Sequence, residues 1–398
     1  MTNVDYVVVG GGITGACSAY HLAKKGADVL LVERGELAPD SPISSSGEHA
    51  KAVRSIYGKD RAMTRLCQES LKHWKRFEHE TGAALFVPSG MIVFGADQTQ
   101  TLNYWANPDL ARFAVDSAHT LEKEGLPHEL LSKRELVERF PQFVENDFYD
   151  HAILDQTAGF VSAREAARKI GGLAKKEGAM VWDHTPVEKV VRRGDNVEFL
   201  ATAREDIIPK KAVIFAAGYM NGDFVPELRA KTRVTQHQIL YLRPRDPVPF
   251  SPKKMPIAVD INRWRYVFPI HGPGITKVVD DDNDCNERVI DPKQRLDPVK
   301  DERSREDSFS FLKDYVPGLV DSEEVDWSTC RYTNTVLQKY LIYRKANTVV
   351  ISACSGHGFK NAPMTALMAV ALAEDQAQVP PYFDRDFAYE NAKNFDHA

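Results

Sequence analysis

Cysteine is scarce in this sequence of 398 residues, and the five cysteines that occur are widely spaced. They stand at Cys17, Cys67, Cys285, Cys330 and Cys354, an odd number with no CxxC pair among them. Such spacing fits neither a zinc site nor a disulfide framework. It predicts a reduced protein of the cytoplasm.

Long hydrophobic runs and an excess of positive charge are also missing. The first apolar run, residues 6–9, is too short to span a membrane, and no basic segment precedes it as in a signal peptide. The formal net charge is −5, so the chain lacks the basic footprint of a nucleic-acid-binding protein. The GxSxG and HExxH motifs are absent. We therefore expect no membrane or nucleic-acid partner and no bound metal.

What the sequence does contain is a glycine-rich turn between a strand and a helix. Residues 5–9 are apolar and mostly β-branched, as in a central parallel strand. Residues 16–25 have helical character and stop at Gly26, a common residue after a helix end. Residues 28–33 form a second apolar strand. Together these segments predict a βαβ unit.

The turn itself has the pattern GxGxxG, formed by Gly10, Gly12 and Gly15. In this pattern the first glycine permits a tight turn, the second lets the backbone approach a pyrophosphate, and the third lets helix and strand pack closely. The free N–H groups at the helix start, around Ile13 and Thr14, favour the phosphate charge. The alternative is a glycine turn with no ligand.

Glu33 ends the second strand at the distance expected of a ribose-binding acid. Its carboxylate would accept hydrogen bonds from the ribose diol and would repel a 2′-phosphate, so NADP is disfavoured. The pattern alone does not separate NAD from FAD.

Hydrophobic periodicity elsewhere predicts further helices, and it predicts strands typical of parallel and of antiparallel sheets. Helices are expected at 60–80, 116–140, 163–177, 286–315 and 362–375, and a hairpin at 187–191 with 197–200. Buried strands are expected at 211–217 and 348–353, each leading into glycine-containing sequence. Short strand-like runs fill residues 230–285, and signals of the parallel type come at the start, middle and end of the chain.

Three separated stretches together resemble one family. They are residues 10–15 followed by Glu33-Arg34, the strand end at 216–218, and Ser355-Gly356-His357-Gly358-Phe359-Lys360. The combination resembles the amine-oxidising flavoproteins related to D-amino-acid oxidase, and within them the monomeric sarcosine oxidases and N-methyltryptophan oxidases. The resemblance extends over nearly the whole chain, and its last stretch is the most specific.

The resemblance implies an α/β fold with two interleaved domains and an FAD cofactor. A Rossmann-like FAD-binding domain would comprise residues 1–80, 150–220 and 322–398. A mostly antiparallel α+β substrate domain, residues 81–149 and 221–321, would form a roof over the flavin. The residues assigned to the cofactor are Gly10, Gly12, Ile13, Thr14, Gly15, Glu33, Arg34, Val187, Gly218, Cys330, Gly356, Gly358, Phe359 and Lys360.

The resemblance also assigns the substrate-binding residues. Arg54 and Lys360 match the two groups that bind the substrate carboxylate, for which a guanidinium is suited because it donates two parallel hydrogen bonds. Tyr266 matches an aromatic residue of the substrate pocket, and His357 would lie close to the flavin. As alternatives, either cation could be a solvated surface charge, and the histidine a structural donor.

Two residues would act on the flavin and on oxygen. Cys330, in Cys330-Arg331-Tyr332-Thr333, matches the cysteine that carries the flavin through a thioether bond. Lys277 matches the lysine that promotes the reaction with oxygen, where a fixed cation stabilises the charge that develops. The alternatives are a cysteine that only packs and a lysine in an exposed loop.

One position departs from the family pattern. Four residues after Lys277 the sarcosine oxidases have a histidine, whereas this chain has Asp281 within an acidic run at 280–284. An acid there could pair with a cationic part of a different substrate, or the run could be a solvated turn.

The predicted function is FAD-dependent oxidation of a secondary (N-methyl) or cyclic amino acid by a monomer, with oxygen as acceptor and an imine and hydrogen peroxide as products. One alternative is an oxidase of a cyclic imino or amino acid in a specialised biosynthetic pathway. Another is an amine dehydrogenase with a different acceptor. A non-catalytic nucleotide-binding or tRNA-modification partner is a further alternative, against which the Arg54 and Lys360 pair argues.

Overall fold

The computed structural model describes residues 1–38, 44–95, 112–281, 289–291, 301–335, 340–352 and 355–375. The calls that fall on residues 282–288 and 292–300, including Cys285, and on Cys354 lie outside these ranges. Within them, no helix combines the length and the apolar character that crossing a bilayer requires.

The strands are numbered in chain order. They are β1 Thr2–Val9, β2 Val29–Val32, β3 Ala50–Val53, β4 Phe86–Val87, β5 Met91–Gly95, β6 His128–Ser132, β7 His151–Asp155, β8 Gly159–Ser162, β9 Met180–Trp182, β10 Val187–Arg193, β11 Asn196–Thr202, β12 Ile207–Phe215, β13 Arg233–Arg243, β14 Ile257–Asp260, β15 Arg265–Val267, β16 Thr276–Asp280, β17 Glu323–Asn334, β18 Leu341–Lys345 and β19 Thr348–Ser352.

The α-helices are numbered in the same way. They are α1 Ile13–Lys24, α2 Arg61–Thr81, α3 Phe113–Lys123, α4 Lys133–Arg139, α5 Ala163–Lys176, α6 Asn221–Phe224, α7 Glu302–Tyr315 and α8 Gly358–Ala373.

The first sheet is built around parallel strands, and we call it the parallel sheet. β9, β2, β1, β12 and β19 run parallel in this order. β18 pairs antiparallel with β19, and the β10–β11 hairpin pairs with the start of β12. The last four residues of β1, 6–9, are buried, as expected of a central strand in such a sheet.

The turn after β1 needs glycine at two positions. Gly10 has φ +108°, a conformation that residues with a side chain rarely adopt. A Cβ on Gly15 would lie 1.8 Å from the Gly10 carbonyl oxygen. These two glycines therefore let α1 begin directly against the end of β1. α1 then packs against α5 and α8.

The second sheet is mostly antiparallel, and we call it the antiparallel sheet. Its strand order is β17-β13-β16-β15-β14-β5-β7-β6, with β14 and β5 as a parallel pair. The mixed α/β architecture that the sequence predicts is confirmed.

The register of the antiparallel sheet aligns several site residues on one face. His237 of β13 pairs with Cys330 of β17, and Tyr241 of β13 pairs with Lys277 of β16. Because paired residues share a face and alternate residues along a strand do too, these four side chains lie on the same side of the sheet.

A small sheet, β3-β8-β4, supports the segment that carries Lys51 and Arg54. Lys51 pairs with Val161 of β8. α2 follows, with Asp60 as its N-cap residue, whose side chain accepts a hydrogen bond from the Met63 N–H, and it ends at Gly82 in the left-handed conformation. These contacts fix the chain on both sides of Arg54.

Three of the helix predictions agree with the structure, one agrees in part and one is wrong. α2 and α5 confirm the helices at 60–80 and 163–177, and α8 includes most of 362–375. Of the helix expected at 286–315, α7 forms the end, whereas Val289 makes an isolated β-bridge with Thr235 and residues 290–291 are not helical. The single helix expected at 116–140 is instead α3, β6 and α4. Residues 128–132 become a strand because they pair with β7, so the tertiary partner overrides a local sequence of helical character.

Candidate active site

A cavity of about 830 Å³ opens at the carboxyl end of β1. Its walls contain most of the residues that the sequence assigns to a cofactor: Gly10, Gly12, Ile13, Thr14, Glu33, Arg34, Val187, Gly218, Gly358 and Phe359. Thr333, three residues after Cys330 on β17, lines the same cavity. The carboxyl end of parallel strands is where open α/β sheets bind ligands.

Gly12 and Gly15 serve different purposes. Gly12 lines the cavity, and a Cβ there would lie 3.4 Å from the Ser46 hydroxyl oxygen, which is ordinary contact. Ser46 accepts a hydrogen bond from the Ile13 N–H at 3.1 Å. Gly15 faces the Gly10 carbonyl and does not line the cavity. Gly12 therefore leaves space for a ligand, and Gly15 permits the close packing of α1 against β1.

Glu33 stands at the end of β2 with its side chain directed at backbone amides. Its carboxylate accepts hydrogen bonds from the Gly11 N–H at 2.6 Å and the Gly35 N–H at 2.9 Å. Beside it, the Arg34 guanidinium donates to the Tyr219 hydroxyl at 2.9 Å. Arg331 lies over the ring of Tyr219, 4.9 Å from its centroid. The acid is fixed at the cavity wall by the glycine turn itself.

Lys277 is fully buried, so the exposed-loop alternative is wrong. Its side chain is 1% exposed. The ammonium donates to the Glu48 carboxylate at 2.7 Å and to the Ala50 carbonyl at 2.6 Å, and it lies 4.5 Å from the centroid of the Phe268 ring. Burial lowers the pKa of Lys277, and Glu48 opposes this.

Cys330 is also buried, and it lies beside a second lysine. The Lys51 ammonium is 3.3 Å from the Cys330 sulfur and donates to the other carboxylate oxygen of Glu48. Burial acts to lower the pKa of Lys51, but Cys330 and Glu48 raise it above its usual value. Burial acts to raise the pKa of Glu48, yet the two lysines lower it to about 2. Lys277, Glu48, Lys51 and Cys330 therefore form a continuous polar chain.

Lys360 and Arg54 are brought close enough to influence each other. Lys360 is buried at the start of α8, where its ammonium lies 3.4 Å from His357 Nδ1. Burial, followed by the charge of Arg54, lowers the pKa of Lys360 to about 7. Arg54 is half-buried, lies 4.5 Å from the centroid of the Tyr57 ring, and donates to the Ile56 carbonyl at 2.6 Å.

The turn that carries Lys360 is held by aromatic contacts. The Trp74 indole donates to the Lys360 carbonyl at 2.9 Å and stacks on Phe359 with ring centroids 5.5 Å apart. The His357 ring meets Tyr57 edge-on at 5.5 Å. A Cβ on Gly356, whose φ is +70°, would lie 3.2 Å from the ring of Tyr332. The turn is thus packed between α2 and β17.

Tyr266 belongs to a polar aromatic group next to Cys330. Its hydroxyl lies 3.3 Å from that of Tyr332, and Tyr332 stacks on His237 with centroids 4.1 Å apart. His237 Nδ1 is 2.9 Å from an Asp281 carboxylate oxygen. Burial, then the charge of Asp281, raises the pKa of both tyrosines well above its usual value, so both stay neutral hydroxyls.

Residues 5–372 match the family described as FAD dependent oxidoreductase, DAO. The chain belongs to this family. It is 28% identical over 394 residues to the peroxisomal sarcosine oxidase of Mus musculus, covering 96% of this chain and 94% of that protein. It is 26% identical over 376 residues to the monomeric sarcosine oxidase of Bacillus sp. (strain B-0618), covering 90% and 89%. The L-proline dehydrogenase structure from P. horikoshii superposes with a TM-score of 0.81 at 20% identity, covering 98% of both chains.

The cavity fits the FAD that the family binds. The flavoenzyme has an open glycine turn at a helix N-terminus, with room at Gly12 for a pyrophosphate to approach. Glu33 stands where a ribose would be bound. Gly358 and Phe359, which come more than 300 residues later in the sequence than Glu33, line the same cavity.

Several site residues were not identified from sequence. Glu48 and His237 belong to no motif, and Tyr332 and Tyr57 were only near neighbours of Cys330 and Arg54 in the sequence; each is placed by a partner that lies far along the chain. The neighbours of His237 are Gln236 and Gln238, and those of Tyr332 are Arg331 and Thr333, so no apolar alternation marked the face on which these two side chains lie.

Proposed function

We propose that this flavoenzyme oxidises a secondary (N-methyl) or cyclic amino acid to an imine and passes the electrons to oxygen, giving hydrogen peroxide. The observation that carries the proposal is the burial of Lys360 near enough to Arg54 for the charge of Arg54 to lower the pKa of Lys360, together with the buried Lys277–Glu48–Lys51–Cys330 chain. The names of the similar sarcosine oxidases support the same chemistry.

Binding would begin with the substrate carboxylate. Arg54 and Lys360 supply two cations, and the Arg54 guanidinium is stacked on Tyr57 so that its donors are pre-oriented. Anchoring the carboxylate fixes where the neighbouring C–N bond lies, and this positioning lowers the barrier. Tyr266 and Tyr332, kept neutral by burial, would form the pocket wall beside that bond.

FAD, when bound, would supply the redox chemistry that converts the amine to the imine. The amine must be neutral to react, so we expect a rate that rises with pH until the bound amine has lost its proton. The imine that forms is then hydrolysed by water.

Lys277 is the proposed site of the oxygen reaction. A buried, fixed ammonium stabilises the negative charge that develops when oxygen accepts an electron, at no cost of reorganisation. The two hydrogen bonds to Glu48 and Ala50 hold that ammonium in place.

Cys330 is the proposed point of covalent flavin attachment. The thiolate is the nucleophilic form of a cysteine, and the adjacent Lys51 ammonium favours it.

The remaining cofactor contacts proposed are those of the cavity wall, with Gly356 supporting the turn that carries Lys360. We further propose a cytoplasmic monomer, on the grounds of the widely spaced cysteines of the sequence and the name of the Bacillus relative. The division into domains at 1–80, 150–220 and 322–398 against 81–149 and 221–321 remains part of the proposal.

The test is anaerobic bleaching of the flavin absorbance by a panel of amines, followed by air. The panel contains sarcosine, N-methyltryptophan, proline, pipecolate and primary amino acids. We expect one secondary amine to bleach the flavin and air to restore the colour rapidly. Bleaching without recovery would indicate a dehydrogenase with another acceptor. No bleaching by any secondary amine would contradict the proposed substrate class.

A further inference from the structure

Glu48 is a buried acid that lies at the centre of the charge network formed with Lys277 and Lys51. Its side chain is 1% exposed. One carboxylate oxygen accepts from Lys277 at 2.7 Å, and the other accepts from Lys51. The residue lies in the segment before β3, whereas Lys277 lies on β16, so the ion pair joins the small sheet to the antiparallel sheet.

The charges of this group do not cancel. Two ammonium groups share one carboxylate, which leaves one net positive charge in a buried location. Two buried lysines without an acid would repel each other and would be poorly solvated, and both effects favour loss of a proton. Glu48 is thus the group that permits both lysines to be cations in one place.

We propose that Glu48 is a positioning residue for the oxygen reaction: its carboxylate, which Lys277 and Lys51 share, holds the Lys277 ammonium in place and keeps it protonated. This inference rests on the proposed function of Lys277. It assigns Glu48 no contact with substrate or cofactor. Its effect is transmitted through the charge and position of Lys277.

The groups around the pair leave few other candidates for titration near neutral pH. Burial raises the pKa of Tyr241 and of Tyr266 well above its usual value. Burial lowers the pKa of His271 to about 4, and burial followed by the charge of Arg164 lowers that of His49. Among the described residues, further titratable groups nearby are Cys330 beside Lys51, His237, which pairs with Cys330 on the sheet, and Lys360 at the proposed carboxylate-binding end. The experiments must therefore distinguish Lys277 from these three groups.

The first experiment compares Glu48→Gln and Glu48→Asp with the unchanged holoenzyme. The holoenzyme is reduced anaerobically and mixed with oxygen at pH 6–10, and the rate constant of flavin reoxidation is recorded. We expect Glu48→Gln to move the falling limb of the profile down by about 1–3 pH units, the usual effect of losing a close opposite charge. Above the new pKa, the rate constant falls about tenfold for each pH unit. Glu48→Asp, which retains the charge, restores most of the profile.

The second experiment follows the loss of the Lys277 proton in the absence of turnover. The absorbance of the oxidised, substrate-free holoenzyme is titrated with pH, because a nearby group that loses charge perturbs the flavin spectrum. Glu48→Gln should shift a spectral transition to lower pH, and the double variant Glu48→Gln/Lys277→Met should lack that transition. A transition that persists in the double variant belongs to another group, such as Lys360.

The outcomes separate the inference from the proposed function. Two results would overturn the positioning role. One is an equal decrease of the reoxidation rate constant in Glu48→Gln and Glu48→Asp at every pH. The other is a pH profile of this rate constant in Glu48→Gln that runs parallel to that of the unchanged enzyme. If Glu48→Gln does not fold, the double variant, which retains the net charge of the group, and Glu48→Asp carry the comparison. Failure of every amine to bleach the flavin would overturn the proposed substrate class, while the spectral titration would still report on Glu48 and Lys277.

Discussion

His237 Nδ1 lies 2.9 Å from a carboxylate oxygen of Asp281, within ion-pair distance. Its other ring nitrogen, Nε2, is 2.7 Å from the Thr235 hydroxyl, and the ring stacks on Tyr332. His237 therefore has a polar contact to Thr235 and a stacking contact to Tyr332, and Asp281 lies close to Nδ1 without a hydrogen bond between the two atoms. Because Tyr332 also lies 3.3 Å, hydroxyl to hydroxyl, from Tyr266, His237 and Asp281 adjoin the two tyrosines of the proposed substrate pocket.

We predict that Asp281 favours substrates that carry a second basic nitrogen. Piperazine-2-carboxylate and pipecolate differ in one ring position, where the first has an N–H group. The enzyme should bind the first more tightly by about tenfold, or about 1.4 kcal/mol, and Asp281→Asn should remove the difference. The apparent Kd of each is obtained from anaerobic flavin reduction at increasing concentration.

Arg54→Lys serves as the control for this comparison. It should weaken both rings because it removes a bidentate carboxylate contact, while the ratio between them stays as in the unchanged enzyme. Equal affinity for the two rings before any substitution would show that Asp281 is only part of a solvated turn.

The pH dependence of carboxylate binding should report the proton of Lys360. Its pKa is lowered to about 7, so the free enzyme has the cation below this pH and loses it above. Affinity for an unreactive carboxylate, such as pyrrole-2-carboxylate, should be highest near pH 6. It should fall as the pH rises above 7, by at most about tenfold for each unit.

Lys360→Arg provides the matched comparison, since an arginine keeps its charge throughout this range. The affinity of the Lys360→Arg variant for pyrrole-2-carboxylate should be the same from pH 6 to 9, as measured by the perturbation of the flavin absorbance. A flat profile in the unchanged enzyme would mean that Lys360 does not contribute its charge to binding.

Substitution by alanine should have different effects at Gly12 and at Gly15, the two glycines of the turn that begins α1. Gly15→Ala would force a Cβ to within 1.8 Å of the Gly10 carbonyl oxygen, so the free energy of unfolding of the apoprotein should fall by about 1–3 kcal/mol or more. Gly12→Ala meets only ordinary contacts and should leave that free energy nearly unchanged while weakening FAD binding.

Denaturant unfolding of both apoproteins and fluorescence titration with FAD measure the two effects. If Gly12→Ala bound FAD normally, the cavity wall around Gly12 would not be where the pyrophosphate lies.

Covalent attachment can be tested at Cys330. Acid precipitation should leave the yellow colour in the protein pellet of the unchanged enzyme and release it from Cys330→Ser. Cys67→Ser is the control, because Cys67 is also buried and free but belongs to α2, away from the Lys51 contact. Release of the flavin from the unchanged enzyme would contradict the attachment and leave Cys330 as a packing residue.

The features that follow from local sequence were the ones that could be predicted. The glycine turn, Glu33 at the end of β2 and the α5 helix depend on neighbours within one supersecondary unit. Residues 128–132 were assigned the wrong structure because their strand exists only through pairing with β7.

The candidate site was predictable only where a family motif supplied it. Lys360 and Lys277 could be named, but Glu48 could not, because an acid in an irregular segment has no pattern that marks it. Its importance comes from Lys277, 229 residues away. Burial and long-range pairing, rather than residue type, make Glu48 the centre of the network.

Lys51 and Cys330, whose side chains touch, are 279 residues apart, and Gly358 and Phe359 share a cavity wall with Gly10. During synthesis, the glycine turn leaves the ribosome long before Gly358 and Phe359, which line the same cavity. A growing chain therefore has its phosphate-binding turn long before it can enclose a flavin. Contacts of such long sequence separation form slowly, and the apolar strands beside them are exposed in the meantime. Maturation of this protein should thus depend on chaperones during synthesis, and the cofactor should be acquired only at the end of it.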